Sequence, residues 1–241
     1  MYDSHSRRVV CLGDSIVRGQ VSTDFINPLN QRMQKHGFHF VNAGVNGDLA
    51  YNVLMRLDTV VDRQPDFIVI LVGTNDVVGA LVPRMAGRYR RTKRLPQLPT
   101  EQWYCDNILK IVHYLKENTR AKIALASLPV LGENLMSTFN KTINTYNGRL
   151  KEIAVQEQIS YLPIHERQKE YLTRTQPTGR DFESEGWLTV GLVIRHYVLR
   201  QSFDTISKRH GYVLVTDGVH MNSRGASFII EEIESFLLTN A

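Results

Sequence analysis

Four short motifs in the sequence carry the residue types that acyl transfer requires. They are GDSI at residues 13–16, NAGVNGDLA at residues 42–50, GTND at residues 73–76 and DGVH at residues 217–220. A serine hydroxyl is a weak nucleophile at its ordinary pKa and needs a base within hydrogen-bond reach. Ser15 is therefore the candidate nucleophile, and His220 is the candidate base.

The other side chains and backbone groups of these motifs complete the chemistry. Asp217 precedes His220 by three residues, so its carboxylate could accept the Nδ1–H of the imidazole and fix the tautomer. The charge that develops on the attacked carbonyl oxygen needs hydrogen-bond donors. The candidates are the backbone N–H groups of Ser15 and Gly47 and the side-chain amide of Asn75. A glycine at position 47 leaves room for a close approach of the backbone to the substrate.

Strand-length apolar runs alternate with helix-length amphipathic segments, which is the pattern of a parallel sheet covered on both faces. The pattern predicts strands at 8–13, 38–43, 66–73, 122–127, 160–163 and 212–215. It predicts helices near 25–36, 50–62, 101–118, 137–158, 187–208 and 223–238. Each motif alone is typical of an ordinary loop. All four follow a predicted strand, however, and ligands bind at the carboxyl edge of such a sheet.

The length and composition favour one α/β domain that spans residues 1–241. The chain has 42% hydrophobic and 22% charged residues, which excludes disordered, collagenous and coiled-coil proteins. It contains no repeat and no linker rich in proline, glycine or serine. The predicted fold is a three-layer α/β/α sandwich around a parallel sheet of five or six strands. Two segments, 77–100 and 164–209, are longer than a minimal connection requires.

The first long segment concentrates the positive charge of the protein. The net charge is +5, and residues 77–100 carry six lysines and arginines with no acidic residue. The segment is either a solvated loop or a surface that attracts an anionic substrate, an acidic lipid or a nucleic acid. Candidates for the substrate-binding rim are Asp14, Asp76, Arg88, Arg90 and Arg91.

The second long segment contains a predicted helix that is apolar around most of its circumference. One stripe is formed by Trp187, Val190, Ile194, Tyr197 and Val198, and the other by Leu188, Leu192, Leu199, Phe203 and Ile206. A helix of this kind must be covered on more than one side. It is interpreted as a core helix, with a lid over an acyl pocket or a homo-oligomer contact through residues 187–206 as the alternatives.

Together the motifs resemble those of the SGNH hydrolases, which are GDSL-type esterases and lipases. The residues that match the four letters are Ser15, Gly47, Asn75 and His220, with Asp217 as the third member of the triad. The resemblance covers nearly the whole chain and includes the segment NTYNGRL at 144–150. It implies a flavodoxin-like fold and the hydrolysis of carboxylic esters, acetyl esters or thioesters without a metal or other cofactor. Ile16 replaces the usual leucine, and the 164–209 insertion is long for the family.

Parts of the sequence are compatible with three other protein classes. A metal-dependent phosphoesterase could use Asp14, Asn75, Asp76, Asp217 and His220 as ligands, but the remaining histidines lack ligand spacing. A non-enzymatic module could bind RNA or acidic lipid through the basic segment, although a single tyrosine, Tyr89, is a poor platform for bases. A conventional α/β-hydrolase needs Gly-x-Ser-x-Gly, and residue 17 is valine.

The sequence also bears on location and partners. No apolar run approaches the ~20 residues that span a bilayer, and no secretory signal is recognisable, so a cytoplasmic location is expected. Cys11 and Cys105 fall in a predicted strand and a predicted helix, which favours reduced packing residues. The expected partner is a small-molecule ester, which the basic segment would favour if it is anionic. Nucleic acid is not an expected partner.

Overall fold

The fold is built on a five-stranded sheet. We describe it from a computed structural model that covers residues 6–175, 179–182 and 191–240. The strands are β1 (Arg7–Gly13), β2 (Phe38–Gly44), β3 (Phe67–Leu71), β4 (Lys122–Ala126) and β5 (Ser160–Leu162). All neighbouring strands are parallel, and their order is β2-β1-β3-β4-β5. This order places the loops after β1, β2 and β3 side by side at one edge of the sheet.

Helices connect the strands. Those of the described residues are α1 (Ser15–Arg18), α2 (Ile26–Met33), α3 (Ala50–Leu54), α4 (Asp58–Val61), α5 (Thr74–Leu81), α6 (Pro83–Thr92), α7 (Glu101–Asn118), α8 (Thr138–Gln156), α9 (Ile164–Thr175), α10 (Phe203–Arg209) and α11 (Ser223–Asn240). A 3₁₀ turn (Gln34–His36) follows α2. In the described ranges, no helix has both the length and the apolar character that crossing a bilayer would require.

The sheet is covered on both faces, as its alternating residues show. In β3, Phe67, Val69 and Leu71 pack into one buried core with residues of α2, α9 and α11. Ile68 and Ile70 of the same strand pack into a second core with residues of α3, α5, α7 and α8. A central parallel strand is buried on both sides in this way, which explains its continuous apolar sequence. The predicted three-layer α/β/α sandwich is confirmed, with five strands in the sheet.

The predicted strand at 212–215 is wrong. This segment lies outside the sheet, and Val215 makes only an isolated antiparallel bridge with Met221. The physical reason is the carboxylate of Glu133, which accepts the backbone N–H groups of Val213, Leu214 and Val215 at 2.6–3.1 Å. Because those donors are already used, the segment cannot add a hydrogen-bonded ladder to the sheet.

The basic segment 77–100 is largely helical, which corrects its prediction as a loop. It contains the end of α5 and all of α6, and only Val82 and residues 93–100 lie outside these helices. Pro83 stands at the first helical position of α6, where its fixed φ and missing N–H are tolerated. Ala86 and Tyr89, three residues apart on one face of α6, are buried, whereas Arg88, Arg90 and Arg91 are exposed. The helix is therefore amphipathic.

The predicted helix at 187–208 is not continuous. Residues 191–193 are helical, Ile194–Val198 form a π-helical turn, and the chain leaves the helix before α10 begins. Leu192 and Ile206 are buried, but Tyr197 and Val198 are 56% and 71% exposed, so the helix is not covered all round. Trp187, Leu188 and Val190 lie outside the described residues. A homo-oligomer contact through 187–206 stays a prediction.

The predicted helix at 50–62 is divided into α3 and α4 by a turn at residues 55–57. The first part, α3, begins directly after the loop that contains Gly47. The first residue of α3 is bonded to α5, the helix that follows β3, because the carboxylate of Asp76 accepts the backbone N–H of Ala50 at 3.1 Å. The division therefore leaves a short helix whose position is tied to the candidate site.

Candidate active site

Ser15 is the first residue of α1, at the carboxyl end of β1. The side chain of Asp14 accepts the backbone N–H of Ile16 at 2.9 Å and caps this short helix, which ends at Gly19 with φ +71°. Side-chain capping of this kind satisfies a donor that the first turn leaves without a helical partner. The sequence thus forces a sharp strand-to-helix turn. Ser15 remains 8% exposed at that turn.

The structure brings Ser15, His220 and Asp217 into one chain of hydrogen bonds. The Oγ of Ser15 lies 2.9 Å from Nε2 of His220, although the two residues are 205 positions apart in sequence. The Nδ1 of His220 lies 2.9 Å from Oδ2 of Asp217. The backbone N–H of His220 also donates to the Asp217 carboxylate at 3.0 Å. This geometry lets the imidazole take a proton from the serine while the carboxylate keeps Nδ1 protonated.

The protonation of His220 depends on opposing influences. Burial lowers its pKa, but the charge and hydrogen bond of Asp217 raise it, and the charge of Asp14 raises it further. The net result is a pKa above the ordinary value for histidine. The surroundings of His220 therefore favour its protonated, imidazolium form.

The loop that carries Asp217 and His220 is fixed by one side chain and one backbone group from outside the predicted motifs. The buried carboxylate of Glu133 accepts the backbone N–H groups of three successive residues, 213–215. The N–H of Gly132 donates to the carbonyl oxygen of Gly218 at 2.7 Å. Sequence reasoning missed Glu133, because nothing in its own segment indicates a partner about 80 residues away.

The loop after β2 brings Gly47 to the same edge. The backbone N–H of Val45 donates to the carbonyl oxygen of Gly13 at 3.0 Å, which ties this loop to the turn before Ser15. A Cβ on Gly44 would lie 2.3 Å from the backbone nitrogen of Arg18, so only glycine allows the close approach. Gly47 has φ +74°, a conformation that glycine adopts without strain.

Two backbone N–H groups are unoccupied at this edge. Within the described ranges, neither the N–H of Ser15 nor that of Gly47 donates to another residue. Both N–H groups are therefore candidate donors to an oxygen atom of a substrate. Backbone donors of this kind need no reorganisation at the moment when negative charge develops.

Asn75 lies in the first turn of α5, immediately after β3, and its amide is held at both ends. Its Nδ2 donates to the carbonyl oxygen of Asp48 at 2.9 Å, next to Gly47. Its Oδ1 accepts the hydroxyl of Tyr89 at 2.8 Å. Asp48 links the same loop to two cations, because its carboxylate contacts Nε of Arg56 at 2.9 Å and Nζ of Lys93 at 3.0 Å. None of these four partners was predicted from the sequence.

Asp14 and Asp76 do not lie on the substrate-binding rim, which corrects that prediction. They are 1% and 0% exposed, and each carboxylate accepts backbone N–H groups. Burial raises the pKa of Asp14 to about 6 and the pKa of Asp76 well above its usual range. Their role is to fix the loops that carry Ser15 and Gly47.

The predicted rim cations are at the surface. Arg88, Arg90 and Arg91 are exposed, and the described part of the chain offers no acidic partner to any of them. Tyr89 between them is only 9% exposed, so its ring is not accessible for stacking on bases. The aromatic stacking that binding of RNA would need is therefore not available from Tyr89.

The acidic residues and histidines do not form an evident metal centre. Across residues 6–175, 179–182 and 191–240, no three histidine, cysteine, aspartate or glutamate side chains converge in a way that could hold a metal ion. Cys11 and Cys105 are both free thiols. The carboxylates of Asp14 and Asp76, which the metal interpretation requires, are instead bonded to backbone donors.

Known proteins share this arrangement of elements. The sequence model of the GDSL-like Lipase/Acylhydrolase family matches residues 11–227. No curated protein sequence matches the chain. An acetyl xylan esterase has 17% identity and a TM-score of 0.69, with 95% of this chain and 99% of that chain covered.

Two further solved structures have the same fold. An acetylxylan esterase from Geobacillus stearothermophilus has 16% identity and a TM-score of 0.67, with coverage of 98% of this chain and 95% of that chain. A hydrolase from the metagenome of Lake Arreo, Spain, has 15% identity and a TM-score of 0.65, with 98% and 96% covered. Catalytic mutants of the Geobacillus enzyme replace a serine, an aspartate and a histidine by alanine.

Proposed function

The chain belongs to the GDSL-like lipase/acylhydrolase family and is an ester-hydrolysing enzyme, and from that premise we propose that Ser15, His220 and Asp217 form its catalytic triad. The observation that carries the proposal is the 2.9 Å contact between Ser15 Oγ and His220 Nε2. A serine gains nucleophilicity only when a base lies this close. Asp217, at 2.9 Å from Nδ1, keeps the ring oriented.

The proposed reaction has two steps, acylation of Ser15 and hydrolysis of the acyl-enzyme. Ser15 Oγ bonds to the ester carbonyl carbon while its proton moves to His220 Nε2. The tetrahedral intermediate then collapses, the bond to the alcohol oxygen breaks, and the alcohol takes the proton from His220. Water attacks the acyl-enzyme in the same manner, with His220 first accepting and then returning a proton, and the free acid leaves.

The proposed oxyanion hole consists of the backbone N–H groups of Ser15 and Gly47 and one N–H of the Asn75 amide. The proposal is supported by the position of these donors on three neighbouring loops at the edge of the sheet. Two of them, the N–H groups of Ser15 and Gly47, donate to no described residue. Donors that are fixed in advance stabilise the developing charge more strongly than water does. Each of the three donors follows a different strand.

We expect small carboxylic esters, including acetyl esters, to be substrates, with thioesters as a chemically similar class. The same triad and oxyanion hole act on either, because both present an acyl carbonyl carbon with a leaving group. Acetyl esters of xylan are the substrates named for two proteins of this fold, which makes them the first natural class to test. An anionic ester is favoured by the exposed Arg88, Arg90 and Arg91 on α6.

An active-site-directed phosphonate tests the nucleophile. It should attach to Ser15, as shown by mass spectrometry of the digested protein, and Ser15→Ala should remain unlabelled. A label on another serine of the native protein would contradict the assignment. The substrate class is tested with p-nitrophenyl esters of graded chain length, the matching thioesters and acetylated xylo-oligosaccharides, compared by kcat/KM.

A further inference from the structure

The last turn of α6 reaches into the site with a side chain that the family motifs do not contain. Tyr89 is buried, and its hydroxyl donates to Oδ1 of Asn75 at 2.8 Å. One turn later, Nζ of Lys93 donates to the carbonyl oxygen of Asn46 at 2.5 Å and contacts Asp48 at 3.0 Å. Lys93, directly after α6, thus contacts the residues on both sides of Gly47 in the sequence.

The hydrogen bonds of Asn75 determine how its amide is turned. The carbonyl oxygen of Asp48 can only accept, so the amide group that faces it at 2.9 Å must be Nδ2. Oδ1 must then face Tyr89, whose hydroxyl donates to it. A primary amide has two N–H groups, and the second N–H of Asn75 donates to no residue in the described part of the chain. One donor therefore remains for a substrate oxygen.

Tyr89 is well suited to hold this orientation. Burial raises its pKa above the ordinary tyrosine value, and the charge of Asp14 raises it further, so the hydroxyl keeps its proton throughout the neutral range. The ring is enclosed by the second core, which also contains Val77 and Val78 of α5. The hydroxyl thus has a fixed position relative to the helix that carries Asn75.

We infer that Tyr89 is a positioning residue for ester hydrolysis, because its hydroxyl holds the Asn75 amide with one N–H aimed at the developing oxyanion. The inference rests on the proposed oxyanion role of Asn75. With the hydroxyl removed, Asn75 keeps a single anchor at Asp48 and its amide can rotate. A misplacement of about 1 Å in a catalytic group costs up to about 10²-fold in rate.

The test is a double-mutant cycle with p-nitrophenyl acetate. Asn75→Ala should lower kcat by about 10²–10³-fold, as removal of one oxyanion donor does. Tyr89→Phe should lower kcat by about 10-fold or more and leave KM within about twofold. In the Asn75→Ala background, Tyr89→Phe should have no further effect, because the group through which it acts is absent. Binding of a boronic acid that mimics the tetrahedral intermediate should weaken in Tyr89→Phe by the same factor as kcat.

Tyr161→Phe is the matched control. The hydroxyl of Tyr161 makes an equally short bond of 2.8 Å to Glu166, but β5 lies two strands away from the nearest strand of the site. Its kcat and KM should match those of the native enzyme. The two tyrosine variants should have similar unfolding temperatures, so that a selective loss of kcat in Tyr89→Phe is not a general loss of stability.

The possible failures are distinguishable. A native kcat in Tyr89→Phe, while Asn75→Ala is strongly impaired, would overturn the positioning role and leave the oxyanion hole intact. The positioning role would also be overturned if the effects of Tyr89→Phe and Asn75→Ala on kcat multiply in the double variant, because Tyr89 would then act independently of Asn75. If Asn75→Ala itself loses less than about 10-fold, the proposed oxyanion hole fails.

Discussion

The two sides of the candidate site are supported in different ways. Ser15, Gly47 and Asn75 follow three neighbouring strands, and the hydrogen-bond ladders of β1, β2 and β3 set their spacing. Asp217 and His220 lie in an irregular loop that is held by the carboxylate of Glu133 and by backbone contacts. Strand ladders thus set the backbone spacing of the first side, where side chains such as Tyr89 act on individual groups, whereas the backbone of the second side depends on one carboxylate and a few backbone contacts. The second side should be more vulnerable to single substitutions remote from the chemistry.

The largest effect should come from Ser15, on the sheet side. Ser15→Ala should lower kcat by about 10⁶-fold, the loss seen when the nucleophile of a serine hydrolase is removed. Because the hydroxyl's contact with His220 is its only side-chain hydrogen bond in the described residues, the unfolding temperature should stay close to the native value. Steady-state kinetics and circular dichroism during heating measure the two quantities. Activity in the variant above about a hundredth of the native value would refute the role of Ser15.

The loop side should respond in stability instead. Glu133→Ala leaves two buried backbone donors, those of Leu214 and Val215, and the part-buried one of Val213 unpaired; each buried donor costs about 1–3 kcal/mol, so the free energy of unfolding should fall by at least about 2 kcal/mol. Glu133→Gln keeps an oxygen that can accept from residues 213–215 and should be milder. Chemical denaturation measures both.

The control for Glu133 is Glu152→Ala on the exposed surface of α8, which should change stability by no more than about 0.5 kcal/mol. A Glu133→Ala variant that is as stable as this control would mean that the loop has other sufficient supports. The contrast between the two sides of the site would then be lost.

The pH dependence of the reaction tests the electrostatic link between the two sides. His220 acts as a base only when it is neutral, and its pKa lies above the ordinary value of about 6.5, so kcat/KM should rise with pH through an apparent pKa above 6.5. Asp14→Asn keeps an oxygen that can cap Ile16 but removes a negative charge that favours the imidazolium. The rising limb should therefore move to lower pH.

Asp106→Asn, on the exposed side of α7, is the control for this shift and should leave the pH profile unchanged. A profile of Asp14→Asn that coincides with the native one would show that the charge of Asp14 does not reach His220. A native profile that is flat from about pH 5 to 8 would argue against His220 as the base.

The smallest effect should come from the cations on the outer face of α6 and from Arg94, just after its end. Replacement of Arg88, Arg90, Arg91 and Arg94 by glutamine should lower kcat/KM a few-fold for esters that carry a carboxylate or phosphate and leave neutral esters unchanged. In the native enzyme, added salt should have the same selective effect, because the Debye length falls from ~30 Å at 0.01 M to ~10 Å at 0.1 M. Equal salt responses of charged and neutral esters would mean that these cations are only solvated surface.

Much of the sheet side could be predicted because its signals are local. The run FIVIL in β3 is apolar throughout, and each proposed oxyanion donor follows a strand within a few residues. On the loop side, Asp217 and His220 were predicted from their motif, but the conformation of residues 212–215 was not, because these residues have the composition of a strand. Their conformation depends on Glu133, which lies about 80 positions earlier in the sequence. Its carboxylate accepts the backbone N–H groups that a strand would donate to a neighbouring strand. Local pattern carries no information about such a partner.

The helix α6 was missed for a related reason. The six lysines and arginines of residues 77–100 and the glycine at position 87 are typical of a loop. The buried side of α6 consists of only Ala86 and Tyr89, which is too short a stripe to indicate an amphipathic helix. The contact between Tyr89 and Asn75 is decided by tertiary packing and has no spacing signature. Sequence reasoning therefore found the residues proposed to touch the substrate and missed those that hold them in place.

The positions of the site residues along the chain have a consequence for synthesis on the ribosome. All of the proposed oxyanion donors, together with Tyr89 and Lys93, lie in the first 93 residues, whereas the partner of Ser15 is 205 residues downstream of it. At translation rates of about 5–20 residues per second, His220 emerges on the order of ten seconds after Lys93. During that interval the nascent chain carries the serine without its base. Hydrolytic activity should therefore arise abruptly, when the segment that carries His220 joins the part of the fold that carries Ser15.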